Sequence, residues 1–129
     1  MVIDTSVIVT LIKPEPDWRL FLQPIRTDPH RLFSTASYLE ASMVLSGMKR
    51  SGRASLDRLL ARLSIQLVAF TPEHALIAAD AFSRFGKGRG GRAQLNFGDC
   101  MVYALAKAAD EALLFKGDDF AHTDVARVL

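Results

Sequence analysis

The sequence predicts an α/β fold: a mainly parallel central sheet of four to five strands flanked by helices on both sides. Three observations carry this. Short apolar runs alternate along the chain with longer stretches of helical spacing. The runs Met1–Ile3 and Ala112–Phe115 are too short for helices and suit buried strands. The chain has 129 residues, half of them hydrophobic, which fits one domain with a real core and argues against disorder.

The elements follow in order. Met1 to Asp4 reads as a buried strand, and Thr5 to Lys13 as a helix stopped by Pro14. Pro14-Glu15-Pro16-Asp17 reads as a turn and helix start, with Trp18, Leu20 and Phe21 as apolar anchors up to Pro24. Arg31 to Ser34 is a second strand. Ser34 to Ser37 supply caps for a helix to about Lys49, with Leu39, Met43 and Val44 at helical spacing. Ser51-Gly52 breaks it, and Leu56, Leu59, Leu60 and Leu63 mark one face of the next helix. Ile65 to Phe70 is a third strand. Thr71-Pro72 opens a helix whose inner face is Ala75, Leu76, Ala79 and Phe82. A glycine-rich loop, Gly86 to Gly91, precedes an alanine-rich helix, Phe97 to Ala109. Ala112 to Phe115 is the fourth strand, and Val125 to Leu129 a possible short edge strand.

Four acids stand where these elements change: Asp4, Glu40, Asp99 and Asp118. In a parallel sheet, sites form beyond the carboxyl ends of the strands, where Asp4 and Asp118 fall. Each acid has a structural alternative. Asp4 can cap a helix. Glu40 can close a capping box with Ser37, unless Thr35 is the cap and frees it. Asp99 can be the third helical residue behind an Asn96 cap, favoured there by the helix dipole. Asp118 and Asp119 can make a turn. Together, clustered carboxylates repel one another and need a cation. Oxygen-only ligands suit Mg²⁺ or Mn²⁺, and a hard divalent ion in an acidic pocket points to phosphoryl-transfer chemistry. Thr5, Ser6 and Asn96 are candidates to orient the carboxylates.

The net charge of +2 is too small to demand a polyanionic partner. Yet Arg84, Lys87, Arg89 and Arg92 fall in a stretch without an acid. Gly86, Gly88 and Gly91 match G-x-G-x-x-G, but the loop follows a helix and not a strand, so the dinucleotide reading fails. Lys87, Arg89 and Arg92, with Lys116, are candidate contacts for a phosphate backbone. The single cysteine, Cys100, excludes an internal disulfide and is read as a small buried side chain. His30, His74 and His122 lack metal-type spacing and are read as surface residues. The short apolar start is neither a signal peptide nor a membrane span, so a cytoplasmic location without membrane contact is expected.

The opening Val2-Ile3-Asp4-Thr5-Ser6 resembles the start of PIN-domain proteins, and Ser34 to Ala41 their second acidic segment. Leu95 to Cys100 and Leu113 to Asp124 closely resemble VapC toxins of bacterial toxin–antitoxin pairs. The resemblance implies a PIN-like fold over residues 1–129 and a Mg²⁺- or Mn²⁺-dependent endoribonuclease. It implies Asp4, Glu40, Asp99 and Asp118, with Asp119 as the competing last acid, as catalytic and metal-holding residues. It also implies an RNA substrate, a homodimer and a cognate VapB-type antitoxin. An inactive PIN-fold module that only binds nucleic acid or protein is the alternative. The four acids argue against it, because a binder has no need of repelling charges.

Overall fold

The computed structural model describes residues 1–48 and 52–129. Among these described residues, four short strands form a wholly parallel sheet: β1 (Val2–Ile3), β2 (Leu32–Ser34), β3 (Gln66–Val68) and β4 (Leu113–Leu114). Their order is β3-β2-β1-β4. Val2 stands opposite both Leu32 and Leu113, Ile3 opposite Leu114, and Phe33 opposite Leu67. The expected edge strand at the carboxyl terminus is reduced to one parallel bridge, Leu113 with Arg127.

Six helices among the described residues cover the sheet: α1 (Thr5–Ile12), α2 (Trp18–Thr27), α3 (Thr35–Val44), α4 (Gly52–Arg62), α5 (Pro72–Phe85) and α6 (Phe97–Ala109). The pleat sends successive side chains to opposite faces. Ile3, Phe33 and Leu114 therefore pack with Val7, Ile8, Phe21, Ile25, Ala41, Leu45, Leu56 and Leu60 from α1 to α4. Val2 and Leu113 pack instead with Ala78 and Ala81 of α5 and Cys100, Val102 and Tyr103 of α6. Burying an aliphatic side chain of this kind contributes roughly 1.5–3 kcal/mol, so both layers hold the strands in place.

Several sequence expectations need correction. Helix α2 runs through Pro24 to Thr27 and does not stop there. Helix α3 ends at Val44, well short of Lys49, and Lys49 and Ser51 lie outside the described residues. Leu39 and Met43 of α3 are 62% and 66% exposed, so this apolar face is left largely uncovered by the described residues. On α5 the buried residues are His74, Ala78 and Ala81, whereas Leu76 is 72% exposed. His74 is buried because it closes the capping box of its own helix: it accepts from Thr71 N–H, and Thr71 Oγ1 accepts from His74 N–H. Cys100 is buried as expected, and burial, with the neighbouring Asp99 charge, pushes its thiol up to about 11.

Candidate active site

Asp4, Glu40 and Asp99 stand at strand-to-helix and loop-to-helix junctions on one side of the sheet, whereas among the described residues no contact joins the Asp118 carboxylate to them. Strand β1 ends at Asp4, which caps α1: Oδ2 accepts from Ser6 N–H at 2.9 Å and from the Ser6 hydroxyl at 2.5 Å. The same hydroxyl accepts from Lys116 N–H at 3.0 Å, which ties the end of β4 to this corner. Strand β2 ends at Ser34, the true cap of α3, so Glu40 lies in the second turn and is free of capping. Its Oε2 accepts from the Thr5 hydroxyl at 2.6 Å. Asp99 is the third residue of α6. Its Oδ2 accepts from Asn96 N–H at 2.8 Å, while Asn96 Oδ1 accepts from Asp99 N–H at 2.9 Å. For Glu40 and Asp99 these bonds fix one oxygen and leave the other available.

Gly98 makes the meeting of α3 and α6 possible. A Cβ at this position would lie 2.4 Å from Glu40 Oε1 and 3.0 Å from its Cδ. The Glu40 carboxylate therefore occupies the space that any other residue at 98 would fill. The sequence carried a signal for this, since glycine early in a helix is unfavourable unless something approaches closely.

The electrostatics show that the acids share one field. Burial raises the Asp4 carboxyl above its ordinary value against the Ser6 hydrogen bonds, and the Glu40 charge raises it further. Asp99 is pushed up to about 6, first by burial and then, against the Asn96 N–H, by the charges of Asp4, Asp119 and Glu40. Among the described residues none of Asp4, Glu40, Asp99, Asp118 or Asp119 has an ion-pair partner. Nor, among the described residues, do three His, Cys, Asp or Glu side chains already form a metal cage. Mg²⁺ takes oxygen ligands and keeps several of its waters, so it is bound through one or two carboxylates. Mn²⁺ shares the preference for oxygen ligands. An uncompensated, partly buried acid cluster with one oriented oxygen per side chain is a suitable donor set.

A PIN-domain family model matches residues 1–126. Ribonuclease VapC30 of Mycobacterium tuberculosis is 46% identical, over 99% of this chain and 98% of its own length. Ribonuclease VapC of Mycolicibacterium smegmatis is 49% identical, over 99% of each chain. The chain belongs to the VapC branch of the PIN-domain family. Its fold is that of solved family members. The structure of VapBC2 from Rickettsia felis, bound to a DNA fragment from the promoter, matches with a TM-score of 0.77 and 15% identity, over 98% of this chain and 95% of that one. VapC20 of M. tuberculosis, described as a sarcin–ricin loop cleaving toxin, matches at 0.73 with 18% identity, over 98% and 97%.

Thr5, Ser6 and Asn96 each bond to an acid. The Asp118 carbonyl accepts from Ala121 N–H in a turn, while the charge of Asp119 acts on Asp99. Lys116 does not present a free ammonium. It is ion-paired with Glu15 and, at 2.9 Å, with Asp17, partners about a hundred residues away that no local pattern reveals. Lys87, Arg89 and Arg92 are exposed on the loop that leads into Asn96. The base of that loop is pinned by Lys87 N–H to Leu95 C=O and Leu95 N–H to Phe85 C=O, both 3.0 Å. Arg89 lies over the Phe82 ring, 4.9 Å from its centroid. Beside it, an apolar groove of about 500 Å³ runs between α5 and α6, lined by Phe70, Phe82, Phe97 and Met101 among others and by none of the acids.

Proposed function

We propose that the chain is a metal-dependent endoribonuclease, the toxin of a toxin–antitoxin pair. The observation that carries this is the field shared by Asp4, Glu40, Asp99 and Asp119, uncompensated by any cation among the described residues. The VapC relatives at 46–49% identity, named as ribonucleases, support the substrate class. Asp4, Glu40 and Asp99 would hold Mg²⁺ or Mn²⁺. Asp118 and Asp119 compete for the place of fourth acid, and the charge of Asp119 is felt at Asp99. When bound, the ion supplies Lewis-acid stabilisation of charge developing on the phosphate. Asp99, ionised beside the ion, would accept the proton of the attacking water. Thr5, Ser6 and Asn96 hold the carboxylates in orientation. Lys87, Arg89 and Arg92 hold the RNA backbone.

The activity resides in the one domain of residues 1–129 and acts in the cytoplasm. Among the described residues no helix is long and apolar enough to cross a membrane. A second copy of the chain covers the exposed apolar residues of α3, α5 and α6, of which Met43, Leu76 and Phe97 are the most exposed. A VapB-type antitoxin silences the site by placing a basic side chain among the acids in place of the ion.

The deciding experiment is cleavage of total RNA with Mn²⁺ by the parent and by Asp4→Asn. Asparagine caps helices as well as aspartate, so the fold is retained. EDTA and the substitution should each abolish cleavage. An Asp4→Asn protein that cuts RNA at the parent's rate rules out the assigned site.

A further inference from the structure

One residue after β4, Lys116, bonds to the chain on either side of helix α1. At the amino end of α1 the contact is through the backbone: Lys116 N–H donates to the Ser6 hydroxyl oxygen at 3.0 Å. Beyond the carboxyl end it is through the side chain. The ammonium donates to Glu15 and, at 2.9 Å, to Asp17 Oδ1 in the connector between α1 and α2. Asp17 stands at the cap position of α2 yet makes no side-chain cap bond, although aspartate is among the best residues for that task. Its carboxylate is turned to Lys116 instead.

The Ser6 hydroxyl links this arrangement to the acids. A hydroxyl has one proton to give and two lone pairs to receive. Ser6 gives its proton to Asp4 Oδ2 at 2.5 Å and takes the Lys116 N–H on a lone pair. Ser6 N–H donates to the same Oδ2 at 2.9 Å. Both bonds fall on Oδ2, so Oδ1 is the Asp4 oxygen left for a cation. A serine in a helix can also send its proton to a backbone carbonyl of the preceding turn. A donor seated on its oxygen keeps the proton away from that side and on Asp4. Gly117, at φ +101°, turns the chain away directly after Lys116. The backbone tie to Ser6 therefore lies at the edge of a turn, and one neutral hydrogen bond contributes only about 0.5–1.5 kcal/mol net. The ammonium supplies the second hold on the same residue.

We propose that Lys116 is a positioning residue: its ammonium, gripped by Glu15 and Asp17, sets its backbone N–H on Ser6, so that the Ser6 hydroxyl holds Asp4 Oδ2 and leaves Oδ1 for a divalent ion. This rests on the reading that the acids hold such an ion. The role is one of geometry rather than stability. Exposed ion pairs contribute about 0–1 kcal/mol, and the Lys116 side chain is 31% exposed. Charge alone predicts the opposite sign. Removing a cation near the acids should tighten Mn²⁺ binding if only the field mattered. A weaker constant therefore reports positioning.

The test is Mn²⁺ titration by calorimetry of the full chain and of Lys116→Met, Lys116→Arg, Ser6→Ala and the double variant Lys116→Met with Ser6→Ala. Amide hydrogen exchange at residue 116 is measured without metal. Loss of a group that orients a metal ligand typically costs 10–100-fold in affinity. Lys116→Met should weaken Mn²⁺ binding about tenfold, the low end because it acts through Ser6, and speed exchange of the residue-116 amide. The metal-free melting temperature should fall by no more than a few degrees. Lys116→Arg, which can bridge both acids, should restore most of the affinity. The double variant should bind no more weakly than Ser6→Ala, since both changes break one path. Lys116→Met binding within about twofold of the parent, or more tightly, overturns the proposal, and so does full additivity of the two substitutions. If Lys116→Met fails to fold, Glu15→Gln with Asp17→Asn decides by the same constant at high salt, where the lost charges act little at a distance. A parent chain that binds no Mn²⁺ defeats the metal reading itself; a parent that binds while Lys116→Met binds equally defeats only the positioning role.

Discussion

Replacing Gly98 by alanine sets two opposing effects against each other at one atom. The added Cβ would lie 2.4 Å from Glu40 Oε1, so the carboxylate must retreat by about 1 Å to reach ordinary contact distance. It cannot retreat freely, because Oε2 is held by the Thr5 hydroxyl at 2.6 Å. Breaking a hydrogen bond to a charged group costs about 1.5–3 kcal/mol, and this site is only partly buried, so the lower figure applies. Alanine gains back up to roughly 1 kcal/mol of helix propensity, less in the first turn of α6. The two nearly cancel, and the metal-free protein should unfold within about 1 kcal/mol of the parent. Activity does not share that cancellation. A displacement of about 1 Å in a catalytic constellation costs on the order of 100-fold in rate. RNA cleavage with Mn²⁺ should therefore drop by roughly that factor while thermal unfolding in EDTA barely changes. A Gly98→Ala protein with the parent's cleavage rate and Mn²⁺ affinity would show that Glu40 does not need its present position, and would remove it from the site.

Three further outcomes are expected. Asp99 has a folded-state carboxyl near 6, above its unfolded value of 3.8, so it favours the fold below about pH 4 and that contribution is lost as pH rises through 6. Metal-free melting temperature should thus carry a component that falls between pH 4 and pH 6 and is absent in Asp99→Asn, while Mn²⁺ affinity rises over the same interval. Replacing Lys87, Arg89 and Arg92 together by alanine should raise KM for RNA without changing the melting temperature. It should also flatten the salt dependence of KM by about 0.7 in log–log slope for each phosphate that the loop no longer neutralises. Leu76→Asp, on a side chain 72% exposed, should convert a dimer seen by light scattering into a monomer without lowering the stability of the isolated subunit.

The sheet was legible, and the acids at its strand ends could be picked out, because both depend on local signals. Apolar runs too short for helices gave the strands, and acids at the ends of those runs fell where a parallel sheet opens. The misreadings share a different cause. Leu39, Met43 and Leu76 have the spacing of a packed face, but periodicity identifies a face without saying which molecule covers it. His74 was buried by its own backbone through the Thr71 cap, in a slot that glutamate or glutamine usually fills. Lys116 was taken by Glu15 and Asp17, a pairing created only when β4 lies beside β1. Asp118 and Asp119 could not be separated in sequence, since adjacent identical acids carry the same local signal.

Taken singly, each acid offers helix capping or metal binding as alternatives, yet in the fold one residue serves both. Asp4 caps α1 and Asp99 occupies the first turn of α6, so two helix amino-termini direct partial positive charge at the acids. Each such end is worth typically about 0.3–1 kcal/mol, which is enough to let the cluster form but too little to neutralise it. Asp99 is still raised to about 6 with its capping bond made, first by burial and then by the charges of Asp4, Asp119 and Glu40. Folding therefore leaves like charges together, and an ion that binds only the folded state must stabilise it. At one hundred times its dissociation constant that linkage amounts to about 2.7 kcal/mol. Mn²⁺ should accordingly raise the melting temperature of the parent by several degrees and that of Asp4→Asn by much less. Equal shifts in the two proteins would mean that the ion binds somewhere other than among these acids.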